Sequence, residues 1–281
     1  MLRIAVPNKG SLSESATEML RESGYRIRRD PKELVVVDEL NGDELFYLRP
    51  RDIAVYVGSG TVDCGITGRD LLLDAGSPAV EVMTLGFGAS TFRYAARPGT
   101  ASALADIGGH RVATSYQGLV EKHLADHGIQ AEVVRLDGAV ETAITLGVAD
   151  VIADVVETGA TLRSQGLAVF GEPILRSEAV LIRDVTSTQE PSIEVLRRRL
   201  LGVTTARAYV MLDYDCPVAL VDDACDITPG LESPTVSPLH DKDWVAVRAM
   251  VPRQDTNAIM DRLYDLGARA ILVTDISACR I

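Results

Sequence analysis

Short apolar runs alternate with short helical stretches through the first 183 or so of the 281 residues, and that rhythm constrains the fold more than any other feature. Residues 2–7 read as a buried strand, followed by Asn8-Lys9-Gly10 and a helix over 11–23. Ser11 and Glu14 have the spacing of a capping box, and Gly24 suits the left-handed position that ends a helix. Residues 33–40 and 44–48 are rich in Val, Leu and aromatics and meet at Asn41-Gly42, a hairpin signal. A helix to residue 57, a strand over 63–67, a helix over 69–74 and a strand over 80–85 follow. A second series begins at 92–96, with strands near 111–115, 131–136 and 151–156 and helices near 119–127 and 140–146. Between the two lies Gly86-Phe87-Gly88-Ala89-Ser90-Thr91, small residues that suit a hinge or a close approach of backbone to ligand. Such alternation predicts α/β architecture with mostly parallel sheets. After Gly171, a strand over 179–182 is placed to return the chain toward the first series.

The two series share a short pattern. Gly60-x-x-Asp63-x-x-x-Thr67-Gly68 matches Gly147-x-x-Asp150-x-x-x-Asp154, each a turn, a strand and a polar residue before a helix. Ligands of open α/β sheets bind beyond the carboxyl ends of strands, so two such lobes facing one another would enclose a cleft. A helix over 190–206 carries Arg197-Arg198-Arg199. The rhythm then changes to strand 209–213, helix 218–224, strands 235–238 and 244–251, helix 256–266 and strand 270–275. That is the β-α-β-β-α-β order of a ferredoxin-like domain.

Composition excludes several classes. A net charge of −12 argues against a nucleic-acid partner, which draws affinity from a basic face. Cys64, Cys216, Cys225 and Cys279 show no Cys-x-x-Cys spacing and read as free thiols of a reducing compartment. Residues 1–6 lack the pattern of a signal peptide, and no apolar run approaches the ~20 residues needed to span a bilayer. A cytoplasmic protein with no membrane partner is expected. Only 5% of residues are aromatic, so the cores are expected to be built from Val, Ile, Leu and Ala.

The segment most suggestive of chemistry runs from Val151 to Leu162. An apolar strand delivers Asp154, and then Thr158-Gly159-Ala160-Thr161 opens a helix. Backbone N–H groups at a helix start, aided by threonine hydroxyls, cradle phosphate, and a nearby carboxylate accepts hydrogen bonds from ribose hydroxyls. The same residues serve equally as a plain helix cap and a tight turn. Lys9, Arg49 and Arg69 sit at strand ends and offer positive charge, while Asp70 suits either a ligand or the dipole of its own helix. His123 and His127 lie four apart on a helix, but no third metal ligand accompanies them. Neither a nucleophile elbow nor a P-loop is present.

Five strings together resemble the ATP phosphoribosyltransferase family: Val6-Pro7-Asn8-Lys9-Gly10, Asp63-x-Gly65-Ile66-Thr67-Gly68-x-Asp70, Leu136-Asp137-Gly138-Ala139-Val140-Glu141, Asp154 to Thr161, and Ile227 to Thr235. They follow in the family's order from one end of the chain to the other. The resemblance implies two lobes similar to a type II periplasmic binding protein around a cleft, plus a C-terminal ferredoxin-like domain that binds histidine as feedback inhibitor. Its implied boundaries are lobe I over 1–90, completed by about 184–206, lobe II over 91–183, and the regulatory domain over 207–281. The implied reaction moves phosphoribosyl from phosphoribosyl pyrophosphate to N1 of ATP, with Mg²⁺ as cofactor. By motif match, Asp154, Glu157, Thr158, Gly159, Ala160 and Thr161 would bind phosphoribosyl pyrophosphate. Lys9, Arg49, Asp70, Leu71, Gly88 and Ser90 would bind ATP, with Lys9 and Arg49 acting catalytically. Asp215, Thr235 and Ala270 would bind histidine. The family also implies AMP as a ligand and a homo-oligomer of dimers assembling into hexamers. Two other classes fit the same outline: a two-lobed binding module without catalysis, and an amino-acid-sensing regulator. The first has no use for the phosphate turn, and the second lacks a basic DNA-binding element.

Overall fold

A computed structural model describes residues 1–27, 33–156 and 159–280. Two compact units emerge, residues 1–21 with 25–197, and residues 22–24 with 198–281. The first unit contains β1 (Arg3–Pro7), α1 (Ser11–Glu22), β2 (Val35–Asp38), β3 (Asp43–Leu48), α2 (Pro50–Gly58), β4 (Cys64–Gly68), α3 (Arg69–Asp74) and β5 (Val80–Thr84). It continues with β6 (Ser90–Ala96), β7 (Arg111–Thr114), α4 (Gln117–Asp126), β8 (Glu132–Arg135), β9 (Val151–Val156), α5 (Ala160–Ser164), β10 (Ala168–Ser177) and β11 (Ala179–Arg183). Helix α6 (Glu190–Ala208) leads into the second unit.

These strands form two sheets, ordered β2-β3-β1-β4-β11-β5 and β10-β6-β9-β7-β8. Each has a parallel trio at its heart, β3-β1-β4 in one and β8-β7-β9 in the other. Beside each trio lies an antiparallel strand sent across from the other half of the chain. β11 pairs with β4 and β5 in the first sheet, and β6 pairs with β9 and β10 in the second. The sheets are therefore mixed, not mostly parallel, because each lobe ends on a strand that the chain reaches by crossing over. The strand expected over 179–182 returns the chain to the first sheet as β11, beside β4.

The short repeat in the sequence proves to be a structural device used twice. Asp63 accepts the Arg3 amide on Oδ2 at 2.8 Å, and its own amide donates to the Arg3 carbonyl at 3.0 Å. Asp150 does the same with Arg111, at 3.0 Å and 2.9 Å. Gly60 and Gly147, each at φ 70°, make the turn that precedes these aspartates. Both carboxylates thus fasten the entry ends of two neighbouring parallel strands and leave the carboxyl ends free.

Cores lie against each sheet. Ala5, Ile53, Ala54, Val57, Val62, Leu72, Val180 and Ile182 pack in the first lobe. Phe92, Tyr94, Ile107, Val112, Val120 and Val151 pack on one side of the second, and Val140, Ala143, Ile144, Ile152 and Leu162 on the other. Each such Ile or Val, fully buried, contributes about 1.5–3 kcal/mol. The stretch expected as a helix over 140–146 is a single 3-10 turn, Val140–Thr142, followed by irregular turns. Its apolar spacing is real, since Val140, Ala143 and Ile144 all point into the core, but Gly147 ends it too soon for a helix. Strand β10 has no counterpart among the expected elements, because Gly171 and Pro173 argue against a strand. It is an edge strand whose pairing with β6 shifts between Phe170 and Leu175, and the bulge holds both residues. Arg93 donates to the Gly171 carbonyl there.

The second unit carries β12 (Tyr209–Pro217), α7 (Val221–Ile227), β13 (Thr235–Pro238), β14 (Trp244–Pro252), α8 (Thr256–Leu266) and β15 (Arg269–Asp275). Its antiparallel sheet runs β13-β14-β12-β15, the ferredoxin-like order. Val210, Leu212, Tyr214 and Cys216 alternate into a core with Val247, Val251, Ile259 and Leu263. Asp213 and Asp215 consequently face the other way.

The two strand fasteners differ in burial, with the Asp63 side chain 11% exposed and that of Asp150 34%. Asp63→Ala is expected to cost about 2–3 kcal/mol by stranding the Arg3 amide and the Ser187 hydroxyl it also accepts. Asp150→Ala is expected to cost about 1 kcal/mol, since water can replace the carboxylate and the exposed Arg111 pair is screened. Urea denaturation midpoints at equal slope check the order; an equal or reversed pair of values refutes the burial argument.

Candidate functional site

Strand ends of both sheets meet at a cavity of about 740 Å³. From the first lobe come Lys9 and Gly10 beyond β1, Arg49, Pro50 and Arg51 beyond β3, and Gly68, Asp70 and Leu71 at the junction of β4 and α3. Gly88 and Ser90 come from the crossing that enters β6, and Ser177 from the end of β10. The second lobe contributes Ser115 and Tyr116 beyond β7, Arg135, Asp137 and Gly138 beyond β8, and Val155 of β9. Lys9, Arg49, Asp70, Leu71, Gly88 and Ser90, all expected from the sequence, share this one cavity. Lys9, Arg49, Asp70 and Leu71 sit where a parallel strand gives way to a turn or helix, the usual ligand-facing end of an open sheet, and Gly88 and Ser90 sit on the crossing between the lobes.

Local reasons fix these side chains. The Pro7 carbonyl accepts Ser13 Oγ at 2.9 Å, which turns the chain so that Lys9 and Gly10 sit at the start of α1. Arg49 is the extended residue before Pro50, and proline at the first helical position starts α2. Among the described residues no ion pair engages Lys9 or Arg49, so both charges remain available. Arg69 behaves differently from the sequence expectation. It forms a two-pronged pair with Glu81 at 2.8 and 2.9 Å and a further contact with Glu178 at 3.5 Å. Glu81 above all raises its pKa, and its charge is committed to the protein itself.

Asp70 is buried. Ser177 Oγ donates to its carboxylate at 2.9 Å and accepts its amide at 3.0 Å. Gly68 allows this carboxylate in, because a Cβ there would lie 2.2 Å from Asp70 Oδ1. Tyr116 caps the far wall, its ring 5.0 Å from that of Phe92 in an edge contact. Burial, then the nearby Asp70 charge, pushes its hydroxyl well above the ordinary tyrosine range.

A smaller cavity of about 340 Å³ adjoins, sharing Val155 with the first. Its lining is Glu141, Asp154, Val155, Val156, Gly159, Ala160, Thr161 and Leu162. Gly159, at φ 68°, precedes the short helix α5 in a left-handed conformation that suits glycine. A Cβ there would stand 3.2 Å from the Arg163 guanidinium, which brings a positive charge against the turn. Asp154 accepts the Val155 amide at 2.8 Å. Burial pushes its carboxyl above the ordinary range, and Glu141 adds to the rise. Glu157 and Thr158 lie outside the described residues.

Tyr116, Ser177, Arg51, Arg135 and Arg163 were not singled out in the sequence. Ser177 is brought in by the unforeseen strand β10, and Tyr116 has no local motif beyond its place after a parallel strand. His123 accepts or donates to the Tyr94 hydroxyl at 3.1 Å, and His127 Nδ1 contacts the His123 carbonyl at 2.8 Å. Among the described residues no three His, Cys, Asp or Glu converge. In the second unit, Asp215 of β12 stands opposite Ala246 and Thr235 of β13 opposite Arg248, both on the face away from the helices. Ala270 lies at the β12–β15 register shift with φ 50°, an uncommon conformation for a residue with a side chain.

Comparison with known proteins agrees along the whole chain. Residues 49–202 match the family model described as ATP phosphoribosyltransferase, and residues 206–278 the model described as HisG, C-terminal domain. A curated ATP phosphoribosyltransferase of Salinispora tropica is 63% identical over 281 residues, covering 100% of both chains. Among solved structures, the ATP phosphoribosyl transferase (HisG:HisZ) complex from Thermotoga maritima matches with a TM-score of 0.64 at 25% identity, covering 73% of this chain and 98% of that one. A substrate binding protein of an amino acid ABC transporter matches with a TM-score of 0.50 at 10% identity, covering 73% and 94%, a likeness of fold alone.

A buried carboxyl whose pKa is raised on folding costs stability once both states are ionised. The penalty is absent below the unfolded pKa of about 3.9 and full above the raised folded value. Asp154→Asn keeps the acceptor for the Val155 amide and removes the charge. It is expected to stabilise the chain by about 1 kcal/mol at pH 7 and much less near pH 4. Thermal midpoints at the two pH values check this, and a destabilised variant at pH 7 contradicts it.

Proposed function

The chain belongs to the ATP phosphoribosyltransferase family, and on that premise we propose how its residues divide the work of the reaction. The reaction opens histidine biosynthesis, and inhibition by histidine is typical of the family. The lone pair of adenine N1 forms a bond to ribose C1 of phosphoribosyl pyrophosphate. The bond from C1 to the pyrophosphate oxygen breaks, and pyrophosphate leaves with the electron pair. N1 needs no base to become a nucleophile, so the barrier is the growth of positive charge on the ribose and of negative charge on the departing oxygen. Positioning and fixed electrostatics lower such a barrier.

In the proposed arrangement the smaller cavity takes phosphoribosyl pyrophosphate. Gly159, Ala160 and Thr161, with Thr158, would hold its 5-phosphate, Asp154 would accept hydrogen bonds from its ribose hydroxyls, and Glu157 is assigned to the same substrate. The larger cavity takes ATP, bounded by Asp70, Leu71, Gly88 and Ser90, and it would admit AMP in the same place. The observation that carries this reading is that the two cavities share a wall at Val155 while, among the described residues, no ion pair engages Lys9 or Arg49 at the larger one. These cations would face the leaving pyrophosphate and the triphosphate. Ionised Asp154 would also favour the positive charge that develops on the neighbouring ribose.

Magnesium fits as an ion carried in with the substrate. Among the described residues Glu141 and Asp154 are the carboxylates of the smaller cavity, and phosphate oxygens would complete a shell that these two alone do not supply. When bound it neutralises phosphate charge. Residues 1–90 with about 184–206, residues 91–183 and residues 207–281 are the proposed lobes and regulatory domain, with Asp215, Thr235 and Ala270 about the histidine. A carboxylate on an open sheet face, two strands from Thr235, is suited to the effector's ammonium. Assembly of dimers into hexamers, and a cytoplasmic setting, belong to the same proposal. No helix among the described residues is long and apolar enough to cross a membrane.

Lys9→Ala is expected to lower kcat roughly a hundredfold while raising the KM for ATP far less, as loss of a charge stabilising the transition state does. Steady-state rates with each substrate varied decide this, and an unchanged kcat ends the catalytic role. Removing residues 211–281 is expected to abolish inhibition by histidine. Persistent inhibition of the shortened chain at the same concentration rejects the effector assignment.

A further inference from the structure

Asp74, at the end of α3, uses one carboxylate oxygen within its own lobe and the other to reach across to the second. Oδ2 takes the Arg51 guanidinium at 2.5 Å, and the Asp74 side chain is only 9% exposed. Oδ1 accepts the amide of Leu119 in the first turn of α4, at 3.2 Å. The neighbouring Gly118 lies so near that a Cβ on it would stand 2.4 Å from the Asp74 carbonyl oxygen, a backbone atom. Arg51, held in this way, sits with its guanidinium carbon 4.8 Å from the centroid of the Tyr116 ring. Phe92 meets that ring by an edge contact, and the Asp70 carboxylate lies near enough for its charge to act on the hydroxyl. Arg51 and Tyr116 both line the larger cavity, whereas Asp74 does not.

We infer that Asp74 is a positioning residue for the nucleotide: it fixes Arg51 on Tyr116 and the start of α4 against α3, and so sets one wall of the larger cavity. The inference rests on the assignment of that cavity to ATP. An arginine released from its carboxylate regains many rotamers, and the ring it covered regains its own freedom. Both must then be reordered each time the ligand binds, which weakens binding without touching the reacting atoms. Phosphoribosyl pyrophosphate, in the smaller cavity, is spared.

Asp74→Asn in the full chain keeps the shape and removes the charge. The KM for ATP is expected to rise roughly tenfold, the usual scale for one hydrogen bond to a charged group, while the KM for phosphoribosyl pyrophosphate stays within about twofold. Asp74→Glu is expected to recover part of the ATP affinity. Arg51→Met is expected to give the same shift, and the double variant little more than either single one, since the two side chains act as one unit. A purely structural role would reduce the active fraction, lowering kcat with both KM values unchanged. That result, an equal rise in both KM values, or additive effects of Asp74 and Arg51 overturns the inference. Asp70→Asn separates this failure from failure of the cavity assignment. If it raises the KM for ATP while Asp74→Asn does not, the assignment stands and the positioning role is rejected. If the Asp70 and Asp74 variants both leave that KM unchanged, the nucleotide lies elsewhere and both readings fall.

Discussion

Two aspartates, placed alike in two halves of one chain, fasten the entry ends of neighbouring parallel strands. Asp63 bonds to the Arg3 backbone and Asp150 to the Arg111 backbone, in each case as both donor and acceptor. With the entry ends tied to the protein itself, the opposite ends, their terminal amides and the turns beyond them, are left for ligands. Lys9, Arg49 and Asp70 on one side and Tyr116, Arg135 and Asp154 on the other are all residues of such ends. The site is thus the complement of the fastening.

Charge at the site follows a similar economy. Arg69 is surrendered to Glu81 and Glu178, whereas among the described residues no ion pair engages Lys9 or Arg49. Asp154 is held in a partly dehydrated place that its ionised form dislikes, and Gly159 takes a left-handed turn. An acidic chain can bind polyphosphates only by such local arrangements, since its overall field repels them.

Much of this was legible in the sequence. Periodic apolar runs located most strands and helices because burial on one face leaves a spacing that survives in the residues. The matched Gly-x-x-Asp strings were legible too, although their meaning was not. They suggested ligand turns, and the aspartates serve the backbone at the end remote from the cavity. Strand β10 was hidden by Gly171 and Pro173, whose bulge only tertiary pairing can pay for, and Ser177 was hidden with it. The bond between Asp74 and Leu119 joins residues 45 positions apart and leaves no local trace. Arg69 misled for a related reason, since its pairing with Glu81 depends on β5 and the start of α3 lying side by side in the fold, and Glu178 adds to it from more than a hundred positions away.

The crossing of β11 into the first sheet has a consequence for how the chain acquires its shape. Strand β5 pairs with β11 alone, and β4 meets β11 on the edge away from β1. During synthesis, both edges wait until Ala179 to Arg183 have left the ribosome, after every strand of the second lobe. The N-terminal lobe, though begun first, is therefore finished only after the second, and its exposed strand edges are the stretch where a nascent chain is most open to wrong pairing.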